Sequence, residues 1–187
     1  MTDYIGGPEN NGRGRDPGDP YGLPAGFDPS AERGPSVHDQ RHRLVLSGIY
    51  EAPFDVQLST IITAASGRPY TVSAGFDFNR DGAPTDRARG NPQSAPSDYS
   101  TSVRRNSERL PGGTVVDLRC VKRIRTSERT SLDLMVEAFN VFDRVIFNQI
   151  NHFFGPGAYP SSPAPGFGQF TKAEAPRQVQ LGVRVAF

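Results

Sequence analysis

Residues 177–187 read RQVQLGVRVAF, and this stretch alternates without a break. Val179, Leu181, Val183, Val185 and Phe187 share one parity, while Gln178, Gln180, Gly182, Arg184 and Ala186 share the other. Successive side chains of a strand point to opposite faces, so the segment predicts a strand with one apolar and one polar face. It stops on an aromatic at the apolar parity. A small water-soluble domain covers such a face. The closing strand of an outer-membrane barrel instead turns it to lipid and sets aromatics at the interface.

The same alternation recurs upstream. Leu44, Leu46, Gly48 and Tyr50 oppose Arg43, Val45, Ser47 and Ile49, and a short turn around Pro53 follows. Val56, Leu58, Thr60, Ile62 and Ala64 then oppose Gln57, Ser59, Ile61 and Thr63, which predicts a hairpin. Residues 66–113 are polar and rich in Gly, Pro, Ser, Arg and Asp, a long excursion. Beyond it, Val116, Leu118 and Cys120 oppose Asp117, Arg119 and Arg123. The segment RTSER reverses the chain, and Leu132, Leu134, Val136 and Ala138 oppose Asp133, Met135 and Glu137. The reading gives strands near 42–51, 55–65, 114–124, 130–142 and 177–187 within a β segment spanning 41–187. Residues 1–40 are too dense in Gly, Pro, Asp and Asn for regular structure and are expected to be irregular loop.

These strands are linked short, long, short, long, and that order carries topology. In an up-and-down barrel all connections of one kind lie at one end, with outer-membrane barrels placing short turns on the periplasmic side. The turns at Pro53 and Thr126 are therefore expected there, and 1–40, 66–113 and 143–176 outside. A strand of about ten residues, tilted by about 40°, spans roughly 25 Å, the height of the apolar band. Tyr50, Phe142 and Phe187 fall at the expected strand ends on the apolar parity, where a girdle of aromatics belongs. The fold class expected is all-β, an antiparallel up-and-down transmembrane β-barrel segment. It is expected to be incomplete, because bacterial barrels begin at about eight strands and open edges in hydrocarbon leave backbone groups unpaired.

Composition narrows the classes without choosing among them. With 21 basic and 20 acidic residues, the chain has no long-range field of the kind a nucleic-acid partner needs. A mean hydropathy of -0.51 and the lack of any long apolar run exclude a transmembrane helix. They leave a barrel open, since half of each barrel strand is polar. Cys120 is the single cysteine, so an internal disulfide is impossible, and it has no neighbour at metal-ligand spacing. The first twenty residues, MTDYIGGPENNGRGRDPGDP, have no basic region followed by an apolar core. Localisation in the outer membrane is therefore expected if the chain is joined to an exported N-terminal part.

Five ordered segments carry a resemblance: AERGPSVHDQRHRLVLSGIYEAPF from Ala31, SGRPYTV from Ser66, VVDLRCVKR from Val115, LMVEAFNVFDRVIF from Leu134 and PRQVQLGVRVAF from Pro176. Together they resemble the C-terminal part of TonB-dependent receptor-like outer-membrane barrels, notably the Oar-like branch with a carboxypeptidase-regulatory-like N-terminal domain. The resemblance implies a piece of a barrel of about 22 strands with a plugged lumen, one that binds or takes up large ligands with energy from the inner membrane. This sequence has neither plug nor energy-coupling box, so the expectation is a C-terminal fragment. Its implied partners are outer-membrane lipid, the remaining strands and plug of a longer receptor, and an unknown transported ligand. The terminal aromatic also resembles the signal read by the barrel-assembly machinery, which falls here on Leu181, Val183, Val185 and Phe187.

One loop has chemical content of its own. In DFNRDGAPTDR, residues 77–87, Asp77, Asn79 and Asp81 stand at positions 1, 3 and 5, and Gly82 at position 6 allows a sharp turn. Asp86 adds a further oxygen donor, a set that suits calcium. Ala88 stands at position 12, where a helix-loop-helix calcium site has Glu, and the other reading of these residues is a solvated Asx-rich turn. A secreted calcium-binding β-domain, an adhesin or matrix module, is thus the alternative to the receptor reading. No enzyme is expected: His38, His42 and His152 are scattered, and no Ser or Cys sits in a strand-turn-helix context. Arg104, Arg105 and Arg109 are expected to form a solvated basic patch or to meet phosphate.

Overall fold

The computed structural model describes residues 33–80, 82–95 and 98–187; the expected loop 1–40 lies mostly outside them. Nine strands are present among the described residues: β1 (Arg43–Ala52), β2 (Val56–Ala65), β3 (Pro69–Tyr70), β4 (Glu108–Arg109), β5 (Gly113–Arg125), β6 (Ser131–Phe139), β7 (Phe147–Ile150), β8 (Phe170–Ala173) and β9 (Gln178–Ala186). The described residues divide into two compact units, one of 40–67, 111–148 and 173–187, the other of 33–39, 68–80, 82–95, 98–110 and 149–172.

The first unit is a five-stranded antiparallel sheet in the order β1-β2-β5-β6-β9. The long strands are thus neighbours in the order in which the chain makes them, an up-and-down meander. Register is continuous from edge to edge: Leu46 pairs with Ile62, Ile62 with Val116, and farther along Leu118 pairs with Ala138 and Ala138 with Val179. Directly paired residues of an antiparallel sheet share a face, so each strand's alternation is inherited by the whole sheet. The sheet is not closed: β1 and β9 each pair on one side only.

Both tight connections lie at the same end. Between Ala52 and Val56 the chain turns in three residues, with Phe54 and Asp55 at φ 68° and 58°. The other turn follows Arg125, where the Thr126 amide and hydroxyl both donate to the Thr130 carbonyl, at 3.0 and 2.9 Å. Val56 is opposite Lys122 and Ser131 is opposite Ala186, so both tight turns and the end of β9 share one rim. The two long connections leave from the opposite rim, after Ala65 and after Phe139. Strand β6 stops at Phe139, short of the expected 142. Asn140 there takes φ 50°, its amide donating to Asp117 Oδ1 at 2.9 Å and its side-chain Nδ2 to the Arg144 carbonyl. Phe142 is therefore exposed beyond the strand and not at its end.

The second unit contains the buried core. Val72 (0 % exposed), Ala88 and Phe154 (1 %) are packed with Tyr70, Val103, Tyr159 and Phe167 around them. Phe154 meets Tyr159 and Phe167 edge-on, at ring-centroid distances of 5.0 and 5.1 Å. The backbone hydrogen bonds that bring them together join distant stretches of the chain: the Ala88 amide donates to the Val72 carbonyl, Val103 to Ala88, and Phe154 to Ser73. Strands β3 and β4 pair in this unit, and β7 pairs with β8 where the second excursion leaves and rejoins the sheet. The sequence reading has these four short strands as irregular excursion, because pieces of two to four residues show no readable period.

Candidate functional site

The functional surface of the sheet is its two faces. One carries Leu44, Leu46, Tyr50, Val56, Leu58, Ile62, Val116, Leu118, Ile124, Leu132, Leu134, Val136, Val179, Leu181, Val183 and Val185, with small or hydroxyl residues between. Its one charge is Lys122 at the tight-turn rim, whose ammonium donates to the Phe54 carbonyl and so leaves the apolar field. Nothing among the described residues covers this face. Leu181 is 80 % exposed and Phe187 fully so, and Leu44, Leu46, Leu58, Leu118 and Val136 are exposed as well. Five strands about 4.8 Å apart and about ten residues long make an apolar field of roughly 700 Å². Water-soluble monomers rarely expose a contiguous patch above a few hundred Å².

The opposite face gathers the sheet's other charges. Arg123 Nε donates to Asp133 Oδ1 at 2.8 Å, Arg119 lies 3.4 Å from Glu137, and Arg125 lies 3.2 Å from Asp55. Arg184 stands opposite Asp133 on β9. Val45, Ile49, Ile61 and Met135 interleave with these groups, so the face is mixed where the other is almost uniformly apolar. Ladders of opposite charge across neighbouring strands satisfy one another and leave a wettable wall, the character of a barrel lumen. Asp117 on the same face accepts the Asn140 amide.

Aromatics mark the tight-turn rim. Tyr50, Phe54 and Phe187 are all exposed there, the place where amphipathic rings meet the edge of the hydrocarbon. Leu181, Val183, Val185 and Phe187 follow one another along one face of β9; the first three lie opposite Val136, Leu134 and Leu132. At the other rim, an open groove of about 610 Å³ is lined by Arg41, His42, Arg43, Ala64, Ser66 and Gly113 among others. The His42 amide donates to Ser66 Oγ and the Gln40 side chain to the Ser66 carbonyl.

In the excursions, Asp77, Asn79 and Asp86 are close in the chain, and Asp81 lies outside the described residues. Asp86 Oδ2 accepts the amides of Phe78 and Asn79 at 2.6 and 2.8 Å, and Asp77 Oδ2 accepts the Gly82 amide at 2.9 Å. These carboxylates hold the turn's own N–H groups. Among the described residues no three His, Cys, Asp or Glu side chains group as a metal site. His152 stacks on Phe153 at 4.5 Å, and His38 and His42 stand elsewhere.

Of the expected basic patch, Arg104 is exposed, while packing corrects the expectation at Arg105 and Arg109. Arg105 is buried, and Arg109 pairs with Asp39 at 2.5 Å while donating to the Asp39 carbonyl at 2.9 Å. The Arg109 guanidinium thereby ties the excursion backbone at Asp39. Sequence reading missed Arg89, which is 1 % exposed, stacks 4.3 Å over the Phe78 ring and reaches Ser94 Oγ at 3.4 Å. An Arg within a Gly-, Pro- and Asp-rich stretch reads as solvated, so no signal pointed to it. Near Arg89, Asp98 is held below the ordinary carboxylate range, first by the Ser100 hydroxyl and amide and then by the Arg89 charge. Burial pushes the Tyr70 phenol up, helped by Glu108 beside it.

Residues 6–180 match the family described as outer membrane beta barrel domain. No curated protein and no solved structure matches the chain. The family match accords with an all-β antiparallel sheet left unclosed and places the chain in the outer membrane.

Proposed function

Because this chain belongs to the outer membrane beta barrel domain family, we propose that it is the C-terminal part of a TonB-dependent receptor-like transporter. It contributes wall, extracellular excursions and closing strand to the binding or uptake of an unknown ligand. The observation that carries this reading is the sorting of connections, with both tight turns at one rim of the sheet and both long connections leaving from the other, on a sheet with one face of almost pure hydrocarbon. A wall strand needs only lipid on one side and water or ligand on the other, and the two faces divide that way. No reaction is assigned to the chain. Its partners in this reading are outer-membrane lipid, the assembly machinery that meets Phe187, and the remaining strands and plug of a longer receptor. The secreted calcium-module alternative is not favoured, since the Asp86 carboxylate is engaged by two backbone amides.

Topology tests the proposal. An epitope inserted at Gly82, which has φ 87° and open space around it, is expected to bind antibody on intact cells making the whole receptor. The same epitope at Glu128 in the tight turn is expected to bind only after the outer membrane is permeabilised. Labelling of the Glu128 epitope on intact cells, with Gly82 silent, contradicts the proposal.

A further inference from the structure

Arginines and carboxylates are matched along the long strands except at one rim. Arg119, Arg123 and Arg125 lie 3.4, 2.8 and 3.2 Å from Glu137, Asp133 and Asp55, and Arg184 stands opposite Asp133. Arg43, at the start of β1, has no acidic partner among the described residues, and neither has Arg41 or His42 just before it. All three are exposed. What His42 gives to Ser66 is backbone: its amide donates to Ser66 Oγ at 3.1 Å, and its carbonyl accepts the Ser66 amide at 2.9 Å. Two guanidinium groups so close in the chain repel one another and gain from a shared anion.

These three residues line the open groove of about 610 Å³ at the rim opposite the tight turns, and no Asp or Glu lines it with them. A space of that size holds an organic molecule and not merely a single ion. Its other lining residues beside Leu44 are Ala64, Ala65, Ser66, Gly112, Gly113 and Thr114, none larger than threonine, which is why the rim is hollow there. Leu44 is half exposed and is the first residue of β1 on the apolar face; Ala64 and Thr114 lie beside it across β2 and β5. On the polar face Ile146 fills the space over Gly113, so an apolar chain leaving the groove has the apolar face to follow. The groove therefore joins cations to hydrocarbon at the height where the apolar field ends.

We infer that this groove holds the head of a lipid bearing a phosphate monoester, with the lipid's acyl chains lying along Leu44, Ala64 and Thr114. The inference rests on the barrel reading above for its leaflet, the outer one. A phosphate monoester carries a charge of about −1.5 to −2 at neutral pH, which Arg41 and Arg43 together neutralise. The single charge of a phosphodiester leaves one guanidinium unmatched. Guanidinium meets phosphate oxygens through paired N–H donors, and the His42 ring with the Ser66 and Thr114 hydroxyls brings further donors to the same space. Free phosphate satisfies the cations and leaves the Leu44 side bare, whereas an anionic amphiphile satisfies both walls.

The test titrates phosphatidic acid into the full chain in dodecyl maltoside and counts bound lipid by native mass spectrometry. Amide hydrogen exchange of β2, β5 and β6 checks that each variant keeps the sheet. Arg41→Gln with Arg43→Gln is expected to weaken binding roughly thirtyfold. Arg125→Gln with Arg129→Gln removes the same charge at the tight-turn rim and is expected to leave binding within about twofold. Ala64→Trp keeps every cation but fills the groove, and is expected to weaken binding about tenfold. Phosphatidylglycerol, a diester, is expected to bind about fivefold more weakly than phosphatidic acid, and excess inorganic phosphate is expected not to displace the lipid. Equal losses in the two arginine pairs, undiminished binding by Ala64→Trp, equal affinity for the diester, or displacement by inorganic phosphate each overturns the inference. Binding that depends on Arg41 and Arg43 while the Gly82 epitope is silent on intact cells upholds the groove and contradicts the receptor topology, so the two failures are told apart.

Discussion

The sheet and the excursions use apolar side chains in opposite ways. In the excursions, Val72, Ala88 and Phe154 are sealed from solvent by their own neighbours, as in any protein interior. In the sheet, Leu181, Val183, Leu46 and Leu118 point out from a surface with nothing among the described residues over it. The excursions therefore have water as their solvent and solve burial internally. The sheet has delegated its burial to another phase, and the family's outer membrane supplies it. Hydrophobicity alone does not separate the two regions; what separates them is whether the apolar groups face one another.

The largest effect that sharpens this contrast comes from one aromatic in each region. Phe154→Ala is expected to cost the excursion unit about 3–5 kcal/mol, the range for emptying a buried Phe site. Phe187→Ala is expected to leave that unit within about 0.5 kcal/mol of the parent. Urea titration with limited proteolysis of residues 66–113 reads both, and equal losses would erase the distinction.

Next is a pair of neighbours on β6. Val136→Arg places a charge on the apolar face and is expected to weaken insertion into phospholipid vesicles by about 2–4 kcal/mol. Met135→Arg places the same charge on the face shared with Arg119, Glu137 and Asp133 and is expected to be nearly neutral. Flotation of vesicles at graded urea compares them. A similar penalty for both breaks the assignment of faces.

A smaller effect is expected for Asp86→Ala, which releases the amides of Phe78 and Asn79. Loss of two charge-assisted hydrogen bonds is expected to cost about 1–3 kcal/mol of excursion stability, seen as a lower denaturation midpoint. Millimolar calcium is expected to leave that midpoint unmoved in the parent chain. A rise with calcium would return the loop to the metal-binding class.

The faces of the long strands were legible because alternation over about ten residues is the strongest signal a strand offers. Connection lengths supplied the rims, and the register joined the strands as their order in the chain suggested. The excursion core was illegible for the complementary reason. Val72, Ala88 and Phe154 each sit in a different stretch of polar or Gly-rich text, with no periodic partner to announce them. Arg89 and Arg105 looked solvated by composition but are buried by tertiary contacts. The end of β6 was missed because Asn140 adopts a left-handed backbone, a choice that depends on Asp117 far away in sequence. The calcium candidate was a matter of spacing, whereas side-chain engagement decides whether a carboxylate is available.

The smallest expected effect is a pH dependence confined to the excursions. Asp98 is ionised more readily in the folded chain than in the unfolded one, because Ser100 donates to its carboxylate. Its stabilising contribution is therefore complete above the unfolded carboxyl's ordinary value and fades as pH falls through the lowered folded value. Asp98→Asn is expected to remove that part of the acid sensitivity and leave the neutral-pH exchange pattern of the sheet as it was. Altered sheet exchange would tie together what is here kept apart.

The most direct measurement exploits the chain's lack of tryptophan. Two full-length single-Trp variants, Leu181→Trp on the apolar face and Gln180→Trp beside it on the other, are placed in vesicles containing phospholipid brominated along its acyl chains. Strong quenching at position 181 with weak quenching at 180 is the predicted result. Equal quenching at the two positions, or none at 181, would mean that hydrocarbon is not what this face meets.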